Sequence, residues 1–572
     1  MNASSIHFIS TKMTANVVPI NGQSTATTQQ RTHTAGQNGT TEAVSSLYLV
    51  RLTHTHETFR RPELEAIATS LNINLKIIDY EPTSPFCVVQ LQPRTSPTLQ
   101  TPSQYHALAR AFASNSILAK SIHELYATAS DYPTLHSRIK ALPLETWTSY
   151  QDVSFKFSID AFFGKRSTSE QRSIIESFSY LPFHGKIVMK RPNEEFVVSE
   201  EWELLTPEEH SILHQSCDPR VSRPGDADQD DSIAGTIEAL KSRRPKRLFF
   251  GRYIGGTKRD LIDKHDLKKR PYISTTSMDA ELALVTANLA LAGHGKLFLD
   301  PFVGTGGFMV AAAELGAITL GSDIDGRSFR GKGKGLDRGV GKNFVRYGLQ
   351  DRFGDCLTSD LTNSPFRWPG KVSGLKSSRW LDGIICDPPY GVREGLKVLG
   401  RRIQDADTPP FESSGENESS IATRRPVHNG PYFVDGVPSH TLPDFVAPKR
   451  PYSFNRMLDD ILEFAARTLV DGGRLAFWMP CANEAMEEEF PVPQHAMLEL
   501  KHVCVQSFNK WSRRLLVYQR VVGEMPEDLS DVSDSSSKAV TGMKADDLNQ
   551  FRRRYFQGFV SADAQSPRDD NG

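Results

Sequence analysis

The six cysteines of this 572-residue chain, Cys87, Cys217, Cys356, Cys386, Cys481 and Cys504, include no Cys-x-x-Cys pair. A chain of this length needs no disulfide staples, so the expectation is reduced thiols in a cytoplasmic protein with no zinc site of its own. No apolar run reaches about 18 residues, which argues against a membrane span. Asp and Glu are missing from residues 1–41, and only Lys12 and Arg31 are cationic before residue 46. Residues 1–45 are rich in Ser, Thr, Gln and Asn, cannot supply a core, and read as a disordered extension. Their Ser content and low acidity suit a transit peptide, but two cations are too few for one.

What is present describes a soluble globular protein: 38% hydrophobic residues and 24% charged ones, on a chain long enough for at least two domains. The net charge of −1 is unevenly spread, because residues 241–270 hold 12 Lys/Arg against 3 Asp, a local +9. Such a run is a solvated face or, with Phe249, Phe250 and Tyr253 interleaved, a phosphate-contacting surface. Both readings stay open from sequence alone.

Between residues 46 and 200 the pattern is α+β. SLYLVRL (46–52), LKIIDY (75–80) and CVVQLQ (87–92) read as strands, and Arg61 to Leu71 and Tyr105 to Ile117 carry helical spacing. FKFSIDAFF (155–163), a helix over Gln171 to Tyr180, and KIVMK paired with EFVVSEEW complete a domain without a catalytic cluster. Residues 215–247 read as a linker. From about 272 strands and helices alternate: KLFLD, AITLGSD, WLDGIICD and GRLAFWMP are apolar strands, Gly306 to Leu315 is a helix, and CVQSF and LLVYQR close the series. Strands buried on both faces imply a mostly parallel, doubly wound sheet. Residues 401–450 interrupt it as a loop insertion, and 525–572 read as a disordered tail apart from FRRRYFQGF.

In such sheets ligands sit beyond the C-terminal strand ends. The first strand ends in DPFVGTGGF, Asp300 to Phe308, where Gly304, Gly306 and Gly307 permit a tight turn and close backbone approach. The GxGG spacing departs from the GxGxxG dinucleotide fingerprint, and no GKS or GKT follows, which disfavours an oxidoreductase and an NTPase. The second strand ends at Asp323, 23 residues after Asp300, the place of an acid that accepts a ribose diol. Asp323 and Asp325 are otherwise plain loop acids or helix caps. Asp355 either caps a turn or accepts an adenine amino group. The fourth strand ends in Asp387-Pro388-Pro389-Tyr390. Prolines end sheet pairing under any reading. The stretch also sets a carboxylate, stiff backbone carbonyls and an aromatic ring side by side, so alone it reads either as punctuation or as an active site.

In this order the motifs resemble class I S-adenosylmethionine-dependent methyltransferases, in the DPPY form used on amino nitrogens. On that resemblance Asp387 and a proline carbonyl would take both hydrogens of a conjugated amine and aim its lone pair at the methyl, with Tyr390 as a stacking face worth about 1–3 kcal/mol. Residues 258–290, KRDLIDKHDLKKRPYISTTSMDAELALVTANLA, precede DPFVGTGGF, SDIDGR and DPPYGVREG, and WSRRLL follows at 511–516. This succession, across residues 46–524, is similar to the catalytic subunit of the eukaryotic tRNA guanosine-10 N2-methyltransferase family. The resemblance implies a THUMP-containing α+β RNA-binding region (46–214) before a Rossmann-like methyltransferase domain (248–524). It implies S-adenosylmethionine as cofactor, tRNA as substrate, and a small zinc-binding activator subunit as partner. Carried over by position, Asp300, Phe302, Gly304, Gly306, Asp323 and Asp355 would hold the cofactor, and Asp387, Pro388, Pro389 and Tyr390 the target base. Thr276 opens TSMD, a capping-box pattern that the resemblance sets beside the cofactor's methionyl part. Arg393, Arg513 and Arg514 are phosphate contacts or surface salt bridges. The alternatives are an amino-methyltransferase for another RNA position or for DNA adenine, and a decayed RNA-binding scaffold.

Overall fold

The computed structural model describes residues 47–94, 101–203, 243–331, 338–366, 379–392, 395–399, 433–442, 448–482, 491–509, 511–523 and 548–557. The expected disordered extension, Arg393, most of the linker and most of the 401–450 insertion lie outside these residues. The main elements are β1 (Leu47–Leu52), α1 (Glu57–Ser70), β2 (Ile73–Tyr80), β3 (Phe86–Pro93), α2 (Pro102–Ala113) and β4 (Ala119–Ala129). Next come α3 (Tyr132–Lys140), β5 (Phe155–Phe162), α4 (Thr168–Glu176), β6 (Glu194–Glu201), β7 (Arg247–Gly255) and α5 (Ala280–Leu289). Then follow β8 (Leu297–Asp300), α6 (Gly307–Glu314), β9 (Ile318–Asp323), α7 (Gly339–Tyr347), β10 (Phe353–Thr358) and β11 (Leu381–Cys386). The last are α8 (Phe454–Thr468), β12 (Leu469–Ala482), β13 (Leu498–Ser507), β14 (Trp511–Arg520) and α9 (Gln550–Gln557). By internal packing the chain divides into two units.

The first unit takes in the described residues of 47–49, 98–105 and 123–254. β6 pairs in parallel with β5 on one edge and antiparallel with β7 on the other. Helices α3 and α4, on either side of β5 in the chain, both start on side-chain caps: Asp131 accepts from Thr134 N, and Ser167 and Glu170 form a reciprocal capping box. With both edges of β6 filled by β5 and β7, KIVMK cannot pair with it. Ile187 makes only a single bridge to Phe155, and Ile187 and Met189 stay 72% and 71% exposed, so the expected pairing with EFVVSEEW does not form. The basic run is corrected as well. Phe249 and Phe250 on β7 are 2% and 0% exposed, Arg247 is paired with Glu201, and Arg252 bridges Glu124 and Glu194 at 3.0 and 2.9 Å. This part of the run is a core strand with neutralised cations, and only Tyr253 keeps an exposed ring.

The second unit contains 50–94, 106–122 and the described residues from 255 onward. Its sheet has the order β10-β9-β8-β11-β12-β14-β13, parallel from β10 to β12, with β14 antiparallel to both neighbours. β11 shows why its sequence is continuously apolar. Ile384 and Cys386 pack with Met457 and Ile461 of α8, whereas Ile385 packs with Leu282 of α5 and Phe308 of α6. Helix α5 is mostly apolar because nine of its ten residues are buried, Glu281 excepted, with Thr286 and Asn288 as its buried polar members. α1 joins the α5 layer: Phe59 stacks on Trp478, and the buried Glu63 carboxylate accepts from Ser116 Oγ (2.7 Å), Ile117 N (2.8 Å), Leu118 N (3.0 Å) and Asn288 Nδ2 (2.8 Å).

Candidate active site

Strand order reverses between β8 and β11, which lie side by side although they are not consecutive. This switch point is where an α/β sheet opens a crevice for a ligand. Asp300 ends β8, Asp323 ends the adjacent β9, and Asp387 directly follows β11, so topology alone brings three carboxylates to one sheet edge. Burial pushes the Asp300 carboxyl well above the usual range, and the charges of Asp323 and Asp387 push it further. Burial also raises Asp323. Carboxylates massed and desolvated in this way favour a cationic ligand.

The glycine turn is held by the same acids. Asp300 Oδ1 accepts from Phe302 N at 3.0 Å, while Asp323 accepts from Gly304 N at 3.0 Å and from Asp325 N at 2.9 Å. Gly304 and Gly306 adopt φ of 48° and 77°, and a Cβ on Gly306 would stand 2.5 Å from Val340 Cγ1. Only glycine fits there without strain. Asp355 is exposed on β10 at φ 129°, its Oδ1 accepting from Cys356 N at 2.7 Å. It lines a cavity of about 250 Å³ with Phe329, Arg330, Arg338, Val340 and Thr358.

Thr276 is not a helix cap. The cap of α5 is Asp279, whose carboxylate accepts from Leu282 N at 2.9 Å. The capping pattern pointed three residues too early, because Thr276 lies in a Ser/Thr turn with its hydroxyl 3.1 Å from Ser274 Oγ. The residue that reaches the glycine turn is its neighbour Ser277, with Oγ 2.9 Å from Thr305 Oγ1. Nothing in the spacing distinguished Ser277 from Thr276.

In the DPPY element Pro388 is buried and Pro389 exposed. The Tyr390 phenol donates to Asp387 Oδ1 at 2.6 Å, and Arg513 Nη1 stands 3.9 Å from Asp387 Oδ2. Burial raises the Asp387 carboxyl to about 6, against the opposing pull of the phenol and the guanidinium. Arg513 lies over the Trp478 ring at 4.6 Å and donates to Gln506 Oε1 at 2.6 Å, so it faces Asp387 from β14. Arg514, next along the strand, is only 4% exposed, which removes it from the candidate surface cations. Among the described residues no group of three His, Cys, Asp or Glu is placed to hold a metal ion.

Residues 46–215 match the family model of the Tmrp11 THUMP N-terminal domain. Over 515 residues the chain is 35% identical to a tRNA (guanine(10)-N(2))-methyltransferase of Saccharomyces cerevisiae, covering 90% of this chain and 99% of that one. It is 33% identical to the protein of the same name from Schizosaccharomyces pombe, covering 91% and 98%. A human protein of that name is 28% identical over 537 residues, covering 91% and 97%.

Proposed function

This chain belongs to the tRNA (guanine(10)-N(2))-methyltransferase family, and we propose that the acids at the strand switch point are its methyl-transfer machinery. The protein is a tRNA guanine-N2 methyltransferase with a THUMP-containing region and a Rossmann-like catalytic fold. The cofactor proposed is S-adenosylmethionine, which when bound supplies an electrophilic sulfonium methyl. The site suits its charge: Asp300 and Asp323 offer desolvated carboxylates to a cationic ligand, and Gly304 and Gly306 leave room beside them. Asp323 would take the ribose diol, and Asp355, at the cavity beside β10, would take the adenine.

The observation that carries the assignment is the placement of Asp387. It leaves β11 next to Asp300 on β8, with one oxygen held by Tyr390 and the other facing Arg513. Asp387 and a carbonyl of the Pro388-Pro389 pair accept the two hydrogens of the guanine N2 amine, which orients a lone pair otherwise conjugated into the ring. When the nitrogen is alkylated its proton becomes acidic, and a carboxyl titrating near 6 is able to receive it before solvent does. The half-buried Tyr390 ring is the proposed stacking face for the base. An A-form stem offers little base sequence to read, so shape and phosphate contacts select the tRNA.

The reading includes a small zinc-binding activator subunit and a cytoplasmic location, both on the family resemblance. Its test is transfer of labelled methyl to tRNA by the chain alone and with that subunit, followed by nucleoside analysis. N2-methylguanosine at position 10 is the expected product; methyl on another nucleoside, or cofactor binding without transfer, overturns the assignment.

A further inference from the structure

The DPPY turn is braced from a part of the chain that contributes nothing to the sheet. β11 ends at Cys386, so the carbonyls of Tyr390, Gly391 and Val392 have left the strand ladder. Each meets a side chain from the start of α9. Asn549 Nδ2 donates to Tyr390 O at 2.8 Å, and Arg552 Nη1 donates to Gly391 O and Val392 O at 2.5 and 2.6 Å.

Asn549 works from both ends of its amide, because its Oδ1 accepts from Arg552 N at 2.9 Å and so starts the helix that carries Arg552. The fit is close at Gly391, whose φ is 73°: a Cβ there would stand 2.5 Å from Asn549 Nδ2. Two further contacts anchor the segment. Leu548 O accepts from Phe454 N at 3.0 Å, at the first turn of α8. Phe551 is 1% exposed and meets Tyr390 and Trp511 edge-on, with ring centroids 6.4 and 5.8 Å away.

We infer that Leu548–Gln557 is a positioning element for the methyl-transfer turn, with Asn549 and Arg552 as the residues that fix the backbone following Asp387-Pro388-Pro389. The two prolines stiffen the turn from within, but they cannot set where its far end points. Asn549 and Arg552 do that by holding three consecutive carbonyls, and Phe551 holds the ring whose phenol engages Asp387. Neither residue touches the reacting atoms; they act through Tyr390 and Gly391. The inference rests on Asp387 as the amine acceptor, and it adds a residue pair 159 and 161 positions further along the chain from Tyr390 and Gly391.

The test uses the full chain with its activator subunit, carrying Asn549→Asp, Arg552→Ala or Arg552→Lys. Asn549→Asp keeps the shape and the helix cap but turns an acceptor toward the Tyr390 carbonyl. The expected result is a kcat lowered by roughly 10²-fold, the loss typical of a small misplacement of reacting groups. Cofactor Kd and tRNA KM should stay within about twofold of wild type, since binding is not what is lost. Arg552→Lys, which still reaches the carbonyls with a cation, should recover part of the turnover lost in Arg552→Ala. An unchanged kcat in Asn549→Asp, or equal defects in the lysine and alanine variants, overturns the positioning role, as does a parallel fall in kcat and cofactor affinity. A wild-type complex that leaves guanosine N2 unmethylated overturns the functional reading instead, so the two failures are told apart.

Discussion

Tyr390 and Asp387 are joined through the phenol, which donates to the carboxylate at 2.6 Å. The bond stabilises the ionised acid and so opposes the burial that lifts Asp387 to about 6. Because the amine acceptor is the ionised form, kcat with saturating tRNA should rise with pH through about 6 and then level. Tyr390→Phe removes a donor to the charged form, which raises the carboxyl further and moves the acidic limb to higher pH. A limb that stays in place in the phenylalanine variant would show that the phenol is not coupled to turnover.

Asp387→Ala separates chemistry from binding. The change deletes the amine acceptor and should lower kcat by roughly 10²-fold or more, with little change in S-adenosylmethionine affinity by calorimetry. Equal loss of both would move Asp387 into the cofactor site.

Asp323 carries the opposite expectation. Its carboxylate holds Gly304 N and Asp325 N and is the proposed ribose acceptor. Hydrogen bonds to charged groups contribute about 1.5–3 kcal/mol each, so Asp323→Ala should weaken cofactor binding by at least about tenfold. Affinity equal to wild type would remove Asp323 from the site.

Gly306→Ala tests the cradle. A left-handed residue with a side chain costs about 1–2 kcal/mol before any clash, and this methyl would meet Val340 Cγ1 at 2.5 Å. Cofactor affinity and melting temperature should fall together; a variant that binds cofactor normally would show the turn to be more yielding than its geometry.

Glu63 predicts a purely structural loss. Glu63→Gln leaves at least one backbone donor at Ile117 or Leu118 facing an amide NH₂, a cost of about 1–3 kcal/mol. Denaturant unfolding should report it, while kcat at a temperature where the protein stays folded remains unchanged. Wild-type stability would mean the site relaxes around the glutamine.

The sheet and the place of the candidate site were legible because three strand ends pair a local signal with a place in the order. Asp300 and Asp323 close apolar runs, and DPPY closes another, so motif and topology point to one edge. What escaped the sequence was decided by partners far along the chain. KIVMK looks like a strand until β7 fills the second edge of β6. β7 itself was hidden by its cations, whose half-buried partners Glu124 and Glu194 no spacing reveals. Arg513 read as a surface cation because one sequence does not say that β14 lies beside β12 and points it at Asp387. The helix at 550–557 was visible only as an aromatic-basic patch in a polar tail, since its function depends on carbonyls 159 positions earlier.

The Glu63 carboxylate has a consequence for how the protein is made. It is 0% exposed, and one of its donors, Asn288, lies 225 positions downstream. During synthesis α1 leaves the ribosome long before that partner exists, and the brace on Tyr390 arrives only with residues 548–557. Translation order and assembly order therefore run apart. Growing from its N-terminus, the chain must carry an unburied acid and an open apolar helix face through much of its own production.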